Sequence, residues 1–140
     1  MKVTRRYRFS ASHRLHSPQL SDEENRRVYG KCDNPFGHGH DYVLEVTVAG
    51  RLDEAAGRVV AVARLDELVE RRVLRQLRHC NLNAEVAAFA GTGVVPTTEN
   101  LALEIRRRLS DAWPAEFGSA ILNRVRLYET RKNIIETTGS

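Results

Sequence analysis

A chain of 140 residues has room for one domain with a modest core, so residues 1–140 are taken as a single domain. A charged content of 29% suits a globular chain rather than a disordered one, and two cysteines, Cys32 and Cys80, are too few for a disulfide framework. No apolar stretch approaches the ~20 residues that span a membrane. The N-terminus lacks a signal-peptide core, which points to a cytoplasmic protein with reduced thiols. The formal net charge of +4 fits an anionic partner, while the scattered Lys and Arg form no nucleic-acid arm.

Residues 5–15 alternate in period two, with Tyr7, Phe9, Ala11 and His13 on one face, and predict a first strand over 2–14. Residues 15–36 form a long connection in which Ser21 and Glu24 fit a capping box opening a short helical turn. A second strand over 40–50 carries His40, Tyr42, Leu44, Val46 and Val48 on its apolar face, closes at Gly50 and pairs antiparallel with the first. After a short apolar run at 58–62, the period changes: Leu65, Leu68, Val69, Val73 and Leu77 recur at helical spacing, and the helix ends near residues 78–81. Residues 81–96 read as a loop. Thr97 or Thr98 caps a second helix with Glu99 in its first turn, Leu101, Ile105 and Leu109 as its apolar row, and Trp113-Pro114 as its stop. In the last third, Ile121, Val125 and Leu127 share a face with Glu129, and residues 130–133 turn into a final strand around 134–137. The ββααββ order predicts an α+β fold: a four-stranded antiparallel sheet with two helices on one face. Its two open edges call for protection, which predicts a closed multimer.

Side chains two apart on a strand point the same way, so His38 and His40 converge, with Gly37 and Gly39 giving the backbone room. His13 extends the core-facing row of the other strand. Any one of these alone reads as a half-buried core histidine; three with matching parity favour a metal held by three neutral imidazoles, zinc by ligand type. Glu129 stands where an apolar residue belongs: it is either exposed at the turn or faces a ligand with two parallel N–H donors. Cys32 reads as a fourth ligand, a thiolate base or an inert thiol, and His79 as a proton relay or a surface residue.

These residues carry a resemblance. Phe9-Ser-Ala-Ser-His13, Leu20-Ser-Asp-Glu-Glu-Asn25, Tyr29-Gly-Lys-Cys32-Asp-Asn-Pro-Phe-Gly-His38-Gly-His40-Asp-Tyr42, Leu77-Arg-His79-Cys-Asn-Leu-Asn83, Pro96-Thr-Thr-Glu-Asn-Leu101 and Tyr128-Glu129-Thr130 together resemble the 6-pyruvoyl tetrahydropterin synthase family. The Cys-to-His spacing looks like its pyruvoyl-forming members more than many 6-carboxytetrahydropterin synthases. The resemblance implies a tunnelling fold (T-fold) whose strands close into a barrel in a homohexamer, a dimer of trimers. It implies one Zn2+ per subunit on His13, His38 and His40, Cys32 as the catalytic proton acceptor and His79 as its relay. Glu129 becomes the anchor of the pterin's amino-pyrimidine edge, and Thr97, Thr98 and Glu99 become pocket residues. The implied substrate is 7,8-dihydroneopterin triphosphate, with Mg2+ on its triphosphate as an open addition. One alternative stays within the chemistry, a 6-carboxytetrahydropterin synthase-type cleavage; the other, a weakly active zinc- and pterin-binding paralogue, comes from Arg78, which stands where the family usually has an aspartate that orients the histidine.

Overall fold

The computed structural model describes residues 1–139. The two alternating segments form long strands, β1 (Lys2–His13) and β2 (His38–Ala49), and the C-terminal pair forms β3 (Ile121–Tyr128) and β4 (Ile134–Thr138). The four lie in the order β1-β2-β3-β4, each antiparallel to the next. The first pairing fixes the site: Phe9 lies opposite Tyr42, Ala11 opposite His40 and His13 opposite His38. Stacking of the Phe9 and Tyr42 rings, centroids 5.1 Å apart, holds that register next to the histidines.

The long connection between β1 and β2 is built rather than loose. Ser21 Oγ accepts from the Glu24 N–H while the Glu24 carboxylate accepts from the Ser21 N–H, opening α1 (Asp22–Tyr29) as the sequence predicts. A 3₁₀ turn, Gly30–Asp33, follows and carries Cys32. Asn25, fully buried, accepts from the Ser17 N–H and donates to the carbonyls of Ser17, Leu20 and Ser21, so the incoming loop is tied to the helix.

The second long helix, α2, runs Val62–Val69, passes through a π-helical turn, Glu70–Leu74, and ends in Arg75–Leu77. The row Leu65, Val69, Val73, Leu77 repeats every fourth residue, and all four are fully buried. A straight helix would rotate such a row about 40° per step away from the sheet, and the wider π turn takes up part of that drift. A short helix, α3 (Leu82–Glu85), lies within the predicted loop, capped by the Asn81 side chain. Finally α4 (Thr98–Phe117) packs on β3 and β4 and buries Leu101, Ile105, Leu109 and Trp113 against the sheet's apolar face.

Two sequence expectations are corrected here. Trp113-Pro114 does not stop α4, which continues to Phe117 with Pro114 inside it. The last turn is held from outside: the Trp113 and Phe117 rings pack at 4.5 Å, and Glu116 pairs with Arg64 and Arg71. These contacts offset the hydrogen bond that proline cannot make. Ile121 does not share the core face with Val125 and Leu127. A bulge in the β2–β3 ladder beside Thr47 and Val48 shifts the pairing so that Leu122 turns inward, and Ile121 is 58% exposed.

The sheet is open within one chain, with β1 and β4 as its edges. The C-terminal end of the β1 edge is already taken: the His79 N–H donates to the Ser10 carbonyl at 2.6 Å, and the Ser12 N–H donates to the Cys80 carbonyl at 2.9 Å. Residues 79–81 thus lie along β1 like a short parallel strand. Among the described residues no helix is long and apolar enough to cross a membrane.

Candidate active site

The three histidines meet at the end of the β1–β2 pair. Ring centroids are 4.7–5.1 Å apart, and one ligand nitrogen from each lies within 4.8 Å of the others. His13 is 1% exposed, and its Nδ1 lies 2.8 Å from the Pro96 carbonyl. A carbonyl accepts only, so Nδ1 carries the proton and Nε2 presents a lone pair to the cluster. His13 Nε2 and His38 Nε2 face each other at 3.2 Å. His40 Nε2 sits 3.1 Å from a Glu129 carboxylate oxygen but is misaligned for a hydrogen bond, so it remains buried without one. Burial foremost, then the neighbouring rings, pushes the pKa of His13 and His38 down, which keeps both imidazoles neutral at neutral pH. Three imidazoles gathered on one point, with the His13 lone pair fixed toward it, suit a divalent ion of the borderline-soft kind.

Glu129 follows the last residue of β3 and turns toward this cluster. One oxygen accepts from Thr98 Oγ1 and from Asn133 Nδ2, the latter at 3.0 Å, while the other lies toward His40. The turn is closed by the Glu129 N–H donating to the Asn133 carbonyl. The carboxylate is therefore mostly buried, its side chain 12% exposed, rather than loose at the turn. Asn133 was not singled out from sequence, although its place four residues on, closing a tight turn, is the signal that could have marked it.

The predicted trio at the start of α4 separates into three roles. Thr97 is the N-cap, its hydroxyl accepting from the Asn100 N–H. Thr98 is 1% exposed and its hydroxyl donates to Glu129, so it holds that carboxylate from behind. Glu99 is exposed on the first turn.

Cys32 is half-buried on its 3₁₀ turn and unbridged. Burial and the nearby Glu129 carboxylate push its thiol up, so no cation of the chain itself depresses it. Tyr42, buried under the histidines with its hydroxyl 3.4 Å from His13 Nδ1, is likewise pushed up by burial, then by Glu129 and Cys32. The Cys32 turn is pinned by the loop after β1. The Leu15 N–H donates to the Cys32 carbonyl, Arg14 pairs with Asp33 at 3.0 Å, and His16 Nδ1 lies 2.6 Å from the same Asp33 oxygen. The His16 bond foremost holds the Asp33 carboxyl below its usual range.

His79 and Arg78 stand apart from this cluster. Arg78 turns to solvent and donates twice to Glu70, at 3.1 and 2.9 Å. His79 is exposed at the β1 edge with a φ of 60°, and its ring makes no hydrogen bond among the described residues.

Comparison with known proteins agrees with this geometry. The sequence model of a family described as 6-pyruvoyl tetrahydropterin synthase matches residues 2–140. The 6-pyruvoyl tetrahydrobiopterin synthase of Poecilia reticulata is 47% identical over 137 residues, covering 98% of this chain and 89% of the relative. A 6-carboxy-5,6,7,8-tetrahydropterin synthase of Rickettsia bellii is 27% identical over 151 residues, covering 97% of this chain and 99% of the relative. The solved structure of Caenorhabditis elegans 6-pyruvoyl tetrahydropterin synthase is similar with a TM-score of 0.89 and 38% identity, covering 100% of this chain and 96% of that one.

Proposed function

Because the chain belongs to the 6-pyruvoyl tetrahydropterin synthase family, we propose that it is a zinc-dependent lyase. Its reaction converts 7,8-dihydroneopterin triphosphate to 6-pyruvoyltetrahydropterin with loss of triphosphate. The observation that carries this reading is the convergence of three oriented imidazoles, a buried acceptor carboxylate and a half-buried thiol at one end of the sheet.

His13, His38 and His40 hold the metal, with Pro96 and Tyr42 fixing the His13 ring. Zinc, when bound, supplies a Lewis acid for the hydroxyls of the substrate side chain. Glu129, held by Thr98 and Asn133, offers its carboxylate to two parallel N–H groups of the pterin ring edge and so sets the side chain's position relative to the sulfur. Cys32 Sγ accepts and returns protons at the side-chain carbons while triphosphate leaves. His79 acts as relay at the far edge of β1, so its contribution to a Cys32 site falls to the assembled multimer, a homohexamer of two trimers in which the open edges pair into a barrel. Mg2+ accompanies the substrate triphosphate. The enzyme works in the cytoplasm, where the unbridged Cys32 and Cys80 stay reduced.

The test is product mass after incubation with 7,8-dihydroneopterin triphosphate. A pyruvoyl product with released triphosphate is expected. A 6-carboxytetrahydropterin product would transfer the chain to the related cleavage, and pterin binding with no triphosphate release would make it a binding paralogue.

A further inference from the structure

The orienting carboxylate for His79 is missing from position 78, and Arg78 is drawn off to Glu70. One other carboxylate lines the same cavity as His79. A hollow of about 330 Å³ beside the β1 edge is lined by Ser10, Gly39, Asp41, His79 and Cys80 among others, and an adjoining one of about 370 Å³ again brings Asp41 and His79 together, with Arg8 and Arg78 also on its wall. Ser10 ties the two residues to one frame. Its hydroxyl donates to Asp41 Oδ1 at 2.6 Å, and its carbonyl accepts the His79 N–H at 2.6 Å. The remaining Asp41 oxygen has no hydrogen-bond partner among the described residues, and neither does the His79 ring. His79 also holds a left-handed backbone, φ 60°, uncommon for a residue with a side chain and sustained here by its bond to β1.

We propose that Asp41 is the positioning residue for His79, its free carboxylate oxygen accepting from the imidazole N–H and fixing which ring nitrogen keeps the proton. The inference rests on His79 serving the lyase reaction as relay, and it moves the orienting acid from the neighbouring residue to the facing strand, β2. Arg78 is then free to serve the surface, which removes the ground for reading this chain as a weakened paralogue.

The test separates this from the lyase reading by using a readout that needs no turnover. In the zinc-loaded protein, long-range proton–nitrogen correlation at alkaline pH reports which ring nitrogen of His79 is protonated, the resonances being assigned by their loss in His79→Gln. One tautomer is expected in the native protein and in Arg78→Ala. Asp41→Ala should merge the ring resonances toward a tautomer mixture, and Asp41→Glu should restore the separation. Resonances of His79 unmoved in Asp41→Ala would overturn the assignment. In turnover, Asp41→Ala should lower kcat about tenfold to a hundredfold, as loss of an orienting carboxylate does elsewhere, with KM within about twofold. An unchanged kcat would also overturn it. Native protein without any turnover would sink the lyase reading while the tautomer result still decides on Asp41.

Discussion

Thr98→Val tests whether Glu129 is a held anchor or a carboxylate that merely lies near the histidines. Thr98 is 1% exposed, and valine keeps its branched shape, so the substitution removes one hydroxyl and little else. That hydroxyl donates to Glu129, whose remaining partner on the same oxygen is Asn133 Nδ2 at 3.0 Å. A hydrogen bond to a charged group is worth about 1.5–3 kcal/mol. The 12% exposure of the Glu129 side chain lets water replace part of it, leaving a net loss of about 1–2 kcal/mol. The assay is urea unfolding of Thr98→Val, Glu129→Gln and the double variant at matched protein concentration, since assembly would otherwise shift the midpoints. A coupling of about 1 kcal/mol or more between the two sites is expected. Pterin affinity should fall about fivefold to thirtyfold in Thr98→Val, the same energy read as a dissociation constant. Additive single variants, coupled by less than about 0.5 kcal/mol, would refute the idea that Thr98 holds the anchor.

His38→Ala removes one of three converging nitrogens and should strip the metal; zinc content by elemental analysis at the native level would reject the ligand assignment. Arg78→Ala breaks an exposed pair, each side chain 38% exposed, so unfolding free energy should move by less than about 1 kcal/mol and turnover by less than about twofold; a larger drop in rate would show that Arg78 reaches the site. Asp33, whose carboxyl is held below its usual range by His16 and Arg14, contributes stability that is present above its unfolded pKa of about 3.9 and is lost as pH falls through the lower folded value. Asp33→Asn should therefore flatten the acid limb of the stability profile in that window; an acid limb identical to the native one would show that the latch on the Cys32 turn carries no linkage.

The strands and the histidine cluster were legible because period-two alternation survives in both long strands, and the parity of His13, His38 and His40 follows from it. The same rule failed at Ile121, because a bulge is a register event between two strands and leaves no mark on one strand read alone. Proline at 114 misled for a related reason: the contacts that keep the last turn helical come from Arg64, Arg71 and Phe117, which only the fold brings together. The identity of Glu129 as an odd residue was visible, but its fate was open, since Thr98 lies 31 positions away in sequence. Arg78 shows the limit from the other side: a substitution that reads as damage next to a histidine turns out to point at Glu70.

The stretch from Val95 to Thr98 ends up serving three masters. Pro96 lends its carbonyl to His13, Thr97 closes the amino end of α4, and Thr98 steadies Glu129. Inserting or deleting a single residue there would misplace the ring, the helix start and the Glu129 carboxylate in one event. Such a segment can change its letters but not its length, so variants of this protein that keep the chemistry should gain or lose residues in the loop before residue 95 and never across residues 95–98.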